Sequence, residues 1–215
     1  METIAASCRA LACDARLLIL YHLALEDELQ TSELARRVRT SQDAASHHLR
    51  PMAALGFLFQ RRSGARVFYR LNGSNEIRAG FVLGGVVRRA LLEPRWATGG
   101  WSADRVLHVA PETAAKVTRS VLRALDVIFD AATAFTHIRR LQLFRWMGQQ
   151  GLGTVPAMSS ALSMSPLACW RHLDKLRRRG YVAEESPCAW GPATQPKTPF
   201  HGELGAAVTE RLGRG

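Results

Sequence analysis

Apolar positions in the first seventy residues recur at helical steps and then change to strict alternation. Leu34 and Val38 stand four apart, a polar Thr40-Ser41-Gln42 stretch follows, and Ala45, Leu49, Met52 and Leu55 return at steps of three and four. This spacing predicts two short helices around a tight turn, each with one buried stripe. Ser41 sits where an N-cap hydroxyl satisfies free backbone N–H groups, and Gly56 is placed to close the second helix in a left-handed conformation. From Phe57 to Leu71, FLFQRRSGARVFYRL alternates apolar residues with Arg61, Arg62, Arg66 and Arg70 about a Ser63-Gly64 turn. That pattern predicts a β-hairpin with a basic tip.

The pattern occurs twice. Shifting the sequence by 124 residues superposes Ser41 on Ser165, His48 on His172, Leu49 on Leu173 and Gly56 on Gly180 without a gap. The second copy keeps Met158, Leu162, Leu173 and Leu176 as its apolar set, and Pro166 suits a first helical position. Between the copies, residues 75–92 carry Ile77, Phe81, Val82, Val86, Leu91 and Leu92 at helical spacing, and residues 94–104 form a Gly-, Pro- and Trp-rich break. A further long helix is expected from Glu112 to about Ala132, with Val117, Val121, Leu122, Leu125 and Ile128 on one side. The expected fold is mainly α with small β-wings: two winged helix-turn-helix domains, residues 1–74 and 136–215, joined by long helices over residues 75–135. The second helix of such a unit can enter a DNA major groove.

The segments DARLLIL, SELARRV, SQDAASHHL, LGFL and RRSGARVFYRL resemble the ArsR-type (arsenical-resistance regulator) winged-helix family. The likeness covers residues 10–72 closely and residues 137–182 more weakly, through the internal offset and RHLDKLRRRGYV. It implies the winged-helix fold and DNA binding. In proteins of this kind, helices flanking the winged unit form a homodimer seam. Here they either join two modules of one chain as a covalent pseudo-dimer or pair two chains, and the sequence leaves both open.

Charge favours a polyanionic partner. The formal net charge is +11, and between residues 32 and 70 eight arginines face only Glu33 and Asp43, while residues 131–173 contain no acidic side chain. Double-stranded DNA is the expected partner, because phosphate neutralisation supplies much of DNA affinity. With Ala45 and Leu49 inward, Gln42, Asp43, Ser46, His47 and Arg50 face outward beside the cap residue Ser41. Gln can read adenine, Arg can read guanine, and Ser or neutral His can contact base or phosphate. Arg61, Arg62 and Arg66 on the wing would contact phosphate or minor groove and fix register. The plain alternative is that these are solvated faces.

In the second copy the outward positions become Pro166, Leu167, Trp170, Arg171 and Asp174, behind the cap residue Ser165. Arg171 retains a guanine-reading fork and Leu167 could touch a thymine methyl. Lys175, Arg177, Arg178 and Arg179 are expected at phosphates, which Asp174 would repel. The expected second wing, residues 186–200, is Pro-rich and contains one cation, Lys197. Two arrangements follow: both units bind one imperfectly palindromic operator, or only the first reads DNA and the second is a partner or ligand surface around Trp170 and Trp190.

Other classes find little support. No stretch reaches the roughly 18 apolar residues of a membrane span, and the N-terminus lacks a signal-peptide pattern, so a cytoplasmic protein without a membrane partner is expected. Cys8, Cys13, Cys169 and Cys188 are too scattered for a disulfide framework and are expected as reduced thiols. Neither the Cys8/Cys13 spacing nor the Asp104/His108 pair gathers the three or four ligands a soft metal wants, so no metal or cofactor is expected. All five tryptophans, Trp96, Trp101, Trp146, Trp170 and Trp190, lie beyond the first module, where they could line a small-molecule effector pocket or fill core. No phosphate-binding glycine loop, HExxH or nucleophile motif suggests an enzyme. The sequence reads as a DNA-binding transcriptional regulator, a repressor rather than an activator by family analogy. The alternative is a winged-helix protein-interaction module such as an antitoxin or scaffold.

Overall fold

The computed structural model describes residues 1–72, 79–99 and 117–213. The chain opens with α1 (Glu2–Leu11) and α2 (Asp14–Leu25), followed by β1 (Leu29–Gln30), α3 (Thr31–Arg37) and α4 (Gln42–Ala54). The Ser41 Oγ accepts a hydrogen bond from the Ala44 N–H at 3.1 Å and starts α4, and Gly56, at φ +86°, turns the chain out of it. Between α3 and α4 the backbone of Arg39 adopts φ +55°, an uncommon value for a residue with a Cβ. Strands β2 (Leu58–Ser63) and β3 (Arg66–Leu71) form an antiparallel hairpin, and β1 adds to β3 to give the order β1-β3-β2. Ser63 pairs with Arg66, so the turn residues are Gly64 and Ala65, one position later than the alternation suggests; Gly64 takes φ +59°. The two-residue strand β1 is too short to leave a periodic trace and was not expected.

Every one of these features has a counterpart 124 residues later. Helix α8 (Ile138–Gln150) matches α2, β4 (Gly153–Thr154) matches β1, α9 (Val155–Ala161) matches α3, and α10 (Pro166–Arg178) matches α4. Ser165 Oγ accepts from the Ala168 N–H at 3.2 Å, Ser163 takes φ +49° where Arg39 takes +55°, and Gly180 takes φ +76°. The second sheet, β4-β6-β5, repeats the order of the first, with β5 (Val182–Ser186) and β6 (Ala189–Pro192). Leu29 pairs with Tyr69 and Gly153 with Trp190, so beyond the hairpin tip the offset falls to 121 and the second hairpin is three residues shorter. The Pro-rich stretch assigned to a wing over residues 186–200 therefore divides: only its first part is hairpin, and Phe200 is buried in α11 (Pro199–Gly213).

The connecting region also differs from expectation. Helix α5 is described over Ala79–Leu92; the expected start at residue 75 lies outside the described residues, as do all of residues 73–78, and the side chains of Phe81 and Val82 are not described. Leu91 is buried but Leu92 is 43% exposed, since adjacent positions lie about 100° apart around a helix. Part of the expected break is a short helix, α6 (Pro94–Thr98), with Pro94 in its first turn. Helix α7 (Arg119–Thr133) starts behind Thr118, whose Oγ1 accepts from the Val121 N–H, so Val117 precedes the helix; residues 100–116 lie outside the described residues.

Helices α1, α5, α7 and α11 form the centre. Helix α1 packs on α7 and α5 on α11; α1 also packs on α5 and α7 on α11. Shifted by 124, α1 falls on residues 126–135 in and just beyond α7, and shifted by 121, α5 falls on α11. Each of the two cross-contacts thus joins a helix to its own counterpart, and the flanking contacts are reciprocal, α2 touching α7 and α8 touching α1. Self-complementary contacts of this kind close about a twofold axis. The seam buries Ile4, Ala5 and Cys8 from α1 and Val121, Leu125 and Ile128 from α7, and Arg89 Nη1 donates to Glu203 Oε1 across it at 2.6 Å.

Candidate nucleic-acid interface

Helix α4 is fixed from beneath and open above. Ala45, Leu49 and Met52 are fully buried against α2, α3 and β2, leaving Gln42, Asp43, His47 and Arg50 exposed and Ser46 half-buried. Residues 43, 46, 47 and 50 follow the i, i+3, i+4, i+7 rule and share one helix face. Ser41 is exposed at the head of the helix, with its hydroxyl engaged as the cap. His48, beside His47, is half-buried, and burial together with Arg16 and His47 lowers its pKa, which suits a packing neighbour.

The hairpin lies against the same side. Arg50 of α4 and Arg62 of β2 both act on the Tyr69 hydroxyl, opposing the upward pKa shift that burial imposes. The wing arginines do not behave alike. Arg62 and Arg66 are exposed, with no ion-pair partner among the described residues. Arg61 instead forms a two-point ion pair with Glu28, at 2.5 and 3.1 Å, and stacks over Phe68 at 4.7 Å. Glu28 sits in the loop before β1, thirty-three residues away, and no local pattern announces the pairing. The charge of Arg61 is thus already matched within the fold.

On α10 the equivalent face is apolar. Leu167 is 60% exposed and Trp170 50%, with Arg171 exposed beside them. Asp174, at the Arg50 position, is held by Arg177 at 2.9 Å and Arg178 at 2.7 Å, and these guanidiniums keep its carboxyl below the ordinary range. It is therefore a neutralised acid instead of a repelling one. Lys175 is half-buried, and burial, with Arg140 and Arg178 nearby, lowers its pKa, so it faces inward more than a phosphate contact would. Arg179 turns away from solvent and pairs with Asp130 of α7, which corrects its assignment to phosphate. Ser165 is spent on its cap, and Arg178 is exposed but shared with Asp174.

Trp146 and Trp190 both border Gly153 of the second unit. Trp190 is only 4% exposed inside the second sheet, so it makes no surface with Trp170; Arg89 lies over Trp96 at 4.1 Å, and Trp101 lies outside the described residues. A cavity of about 660 Å³ opens between the end of α2, the base of β3 and α5, lined by Glu26, Asp27, Arg70, Arg88 and Glu93, with no described tryptophan among its walls. All four cysteines are free, and burial raises the Cys8 and Cys169 thiols to about 12 and about 11. Among the described residues, no three His, Cys, Asp or Glu side chains converge as a metal site and no helix is long and apolar enough to cross a membrane.

Comparison with known proteins bears on the first half of the chain. Residues 13–58, from α2 through the start of β2, match the family described as bacterial regulatory protein, arsR family. This segment is similar to an ArsR-type helix-turn-helix. The chain is also 41% identical over 64 residues to a Staphylococcus aureus protein named cadmium resistance transcriptional regulatory protein CadC homolog. That alignment covers 30% of this chain and 53% of the relative, so the chain spans about half of the curated protein it matches. No solved structure matches. The matched segment contains α3 and α4 whole, and with them the exposed face of Gln42, His47 and Arg50.

Proposed function

We propose that this chain is a DNA-binding transcriptional regulator that reads the major groove with α4 and holds phosphates or the minor groove with Arg62 and Arg66 at the tip of its first hairpin. The observation that carries the reading is the exposed set Gln42, His47 and Arg50 on a helix whose opposite face is locked into an ArsR-type core. Gln and Arg are the side chains that make bidentate contacts to adenine and guanine. Repression, by occupying an operator and blocking transcription, is the output favoured by analogy with the family, and such a protein acts in the cytoplasm.

The reading takes one chain as the DNA-binding unit. Two winged helix-turn-helix domains, residues 1–74 and 136–215, would then form a covalent pseudo-dimer across the connecting helices, an arrangement supported by the repeated caps, the repeated sheet order and the self-complementary seam. Among the described residues the seam helices pack on one another within one chain, which favours the pseudo-dimer over the pairing of two chains. No catalytic step or metal is part of the proposal. A small-molecule effector would have room in the cavity beside α5.

The test is a salt-dependent binding titration of wild type and the His47→Ala/Arg50→Ala variant, with DNA from around the protein's own gene set against random DNA. Selective binding weakened at least tenfold in the variant is expected, since a good base contact is worth about 1–3 kcal/mol. Equal, weak binding to both DNAs and no effect of the variant would refute the reading and favour a protein-interaction module.

A further inference from the structure

The two reading helices occupy equivalent positions about the seam axis, yet no position on one exposed face keeps its residue type on the other. Asp43, Ser46, His47 and Arg50 on α4 correspond to Leu167, Trp170, Arg171 and Asp174 on α10. A solvated face that served no partner would gain nothing from Leu167 and Trp170 standing 60% and 50% exposed three residues apart. Around them Arg171, Arg177 and Arg178 are exposed, Asp174 has its charge matched by the last two, and no acidic residue occurs from 131 to 173, the exposed acids Glu184 and Glu185 lying instead on β5 of the hairpin. A mixed apolar and cationic face fits the floor of a major groove that offers methyl groups between phosphates, because thymine is the base that presents a methyl there.

Building on the proposed DNA-binding role, we infer that α10 reads a second half-site unlike the first, through apolar contact of Leu167 and Trp170 with thymine methyl groups and a guanine contact from Arg171. A single chain would then recognise a directional site of two unrelated halves, their centres about one helical turn apart. Asp174, tied to Arg177 and Arg178, takes no base; the two arginines flank the groove with their remaining N–H groups. The first half carries the polar readout of Gln42, His47 and Arg50. The chain is therefore not interchangeable with a homodimer of its first unit, which would demand a palindrome.

The experiment begins with selection of bound duplexes from a random library by the full chain, followed by titration of the winning site. The site is expected to be asymmetric, to bind one chain, and to contain thymines in the half that Arg50→Ala leaves unaffected. Replacing those thymines by deoxyuridine removes only the methyls and should weaken wild-type binding about fourfold per contacted methyl, from roughly 0.8 kcal/mol per buried methylene-sized group. Leu167→Ser/Trp170→Ser, which alters exposed positions and should keep the wild-type circular dichroism spectrum, should abolish this sensitivity. Arg171→Gln should relax the choice of guanine in that half alone. A palindromic site holding two chains would overturn the inference, as would deoxyuridine or Leu167→Ser/Trp170→Ser having no effect. Self-association lost on Trp170→Ser, with only the first half-site selected, would overturn it in favour of a second copy as the occupant. If wild type selects no sequence at all, the DNA-binding role falls and the inference falls with it.

Discussion

The carboxylate of Asp130 joins the end of α10 to the central seam, and its removal should be among the most damaging single changes in the protein. Asp130 lies on α7 with its side chain 11% exposed; Arg179, just beyond α10, pairs with one oxygen, and Lys197 approaches the other at 3.3 Å. His201 of α11 completes the cluster at 3.4 Å. Burial, with Lys197 and Arg179 alongside, lowers the His201 pKa to about 3, so the ring is neutral. The His201 backbone N–H donates to Thr198 Oγ1, that hydroxyl lies 2.9 Å from Nδ1 and can donate to it, and Nε2–H is left to donate to Asp130. Asp130→Ala deprives two largely buried cations of their acid, a change worth about 3–5 kcal/mol in buried pairs. Because Arg179 and Lys197 are 24% and 27% exposed and can turn partly to water, the lower end applies, about 3 kcal/mol. For a chain of this size that lowers Tm by roughly 6–12 °C. Urea denaturation of wild type, Asp130→Ala and Asp130→Asn is the assay. Asp130→Asn preserves volume and should lose nearly as much, since the loss is electrostatic. Asp130→Leu combined with Arg179→Met should recover part of it, because an apolar replacement leaves fewer charges unmatched. A loss below about 1 kcal/mol for Asp130→Ala would refute the reasoning.

Acid should destabilise the fold below neutral pH. His201, at about 3, and His172, at about 4, bind protons less readily than an unfolded histidine at 6.5, so the unfolded state binds more protons in that interval and stability falls as pH drops through it. The urea midpoint should decline from about pH 6.5 downwards, less steeply in His201→Gln; a pH-independent midpoint would contradict the burial argument. On DNA, Arg62→Ala and Arg66→Ala should each reduce the slope of log affinity against log salt by about one, and Arg61→Ala by clearly less because Glu28 already neutralises it. Equal slopes for all three variants would mean the ion pair opens on binding. Gly153→Ala should cost about 1–3 kcal/mol, since a Cβ there would stand 2.3 Å from the Trp146 ring, and Trp146→Leu should relieve most of that penalty in thermal melts.

What the sequence discloses and what it hides divide along the range of the interactions. The N-caps at Ser41 and Ser165, the left-handed Gly56 and Gly180, and the stripes Ala45-Leu49-Met52 and Cys169-Leu173-Leu176 are all settled within one or two helical turns, so spacing alone reveals them. The β1 and β4 strands are two residues long and exist only because β3 and β6 offer free edges, which no window of sequence contains. The same holds for charge. Arg61 and Arg179 looked like phosphate ligands because each lies in a basic run, and both are claimed by acids 33 and 49 residues away. The expected helix from Glu112 to about Ala132 is not continuous, because Thr118 caps a fresh start at Arg119; its expected beginning at Pro111 and Glu112 lies outside the described residues.

The two halves also differ in which positions have been free to change, and this separates scaffold from reading surface without any further comparison. Leu17 and Leu141, Leu34 and Met158, Leu49 and Leu173, Met52 and Leu176, Phe57 and Tyr181, and Tyr69 and Trp190 are equivalent pairs, and all twelve side chains are buried. Each substitution within a pair keeps an apolar body of similar size, as a close-packed interior demands. On the exposed faces the rule reverses: Asp43 becomes Leu167, Ser46 becomes Trp170, His47 becomes Arg171 and Arg50 becomes Asp174, each a change of charge, polarity or bulk. Packing does not account for most of these exchanges, because apart from the half-buried Ser46 and Asp174 the side chains stand largely outside the core. Relaxed drift towards a plain solvated surface would favour small and charged residues there and would not install a half-exposed tryptophan next to a leucine. The pattern is that of one scaffold held twice by its core while its two presented faces were fitted to different chemistry.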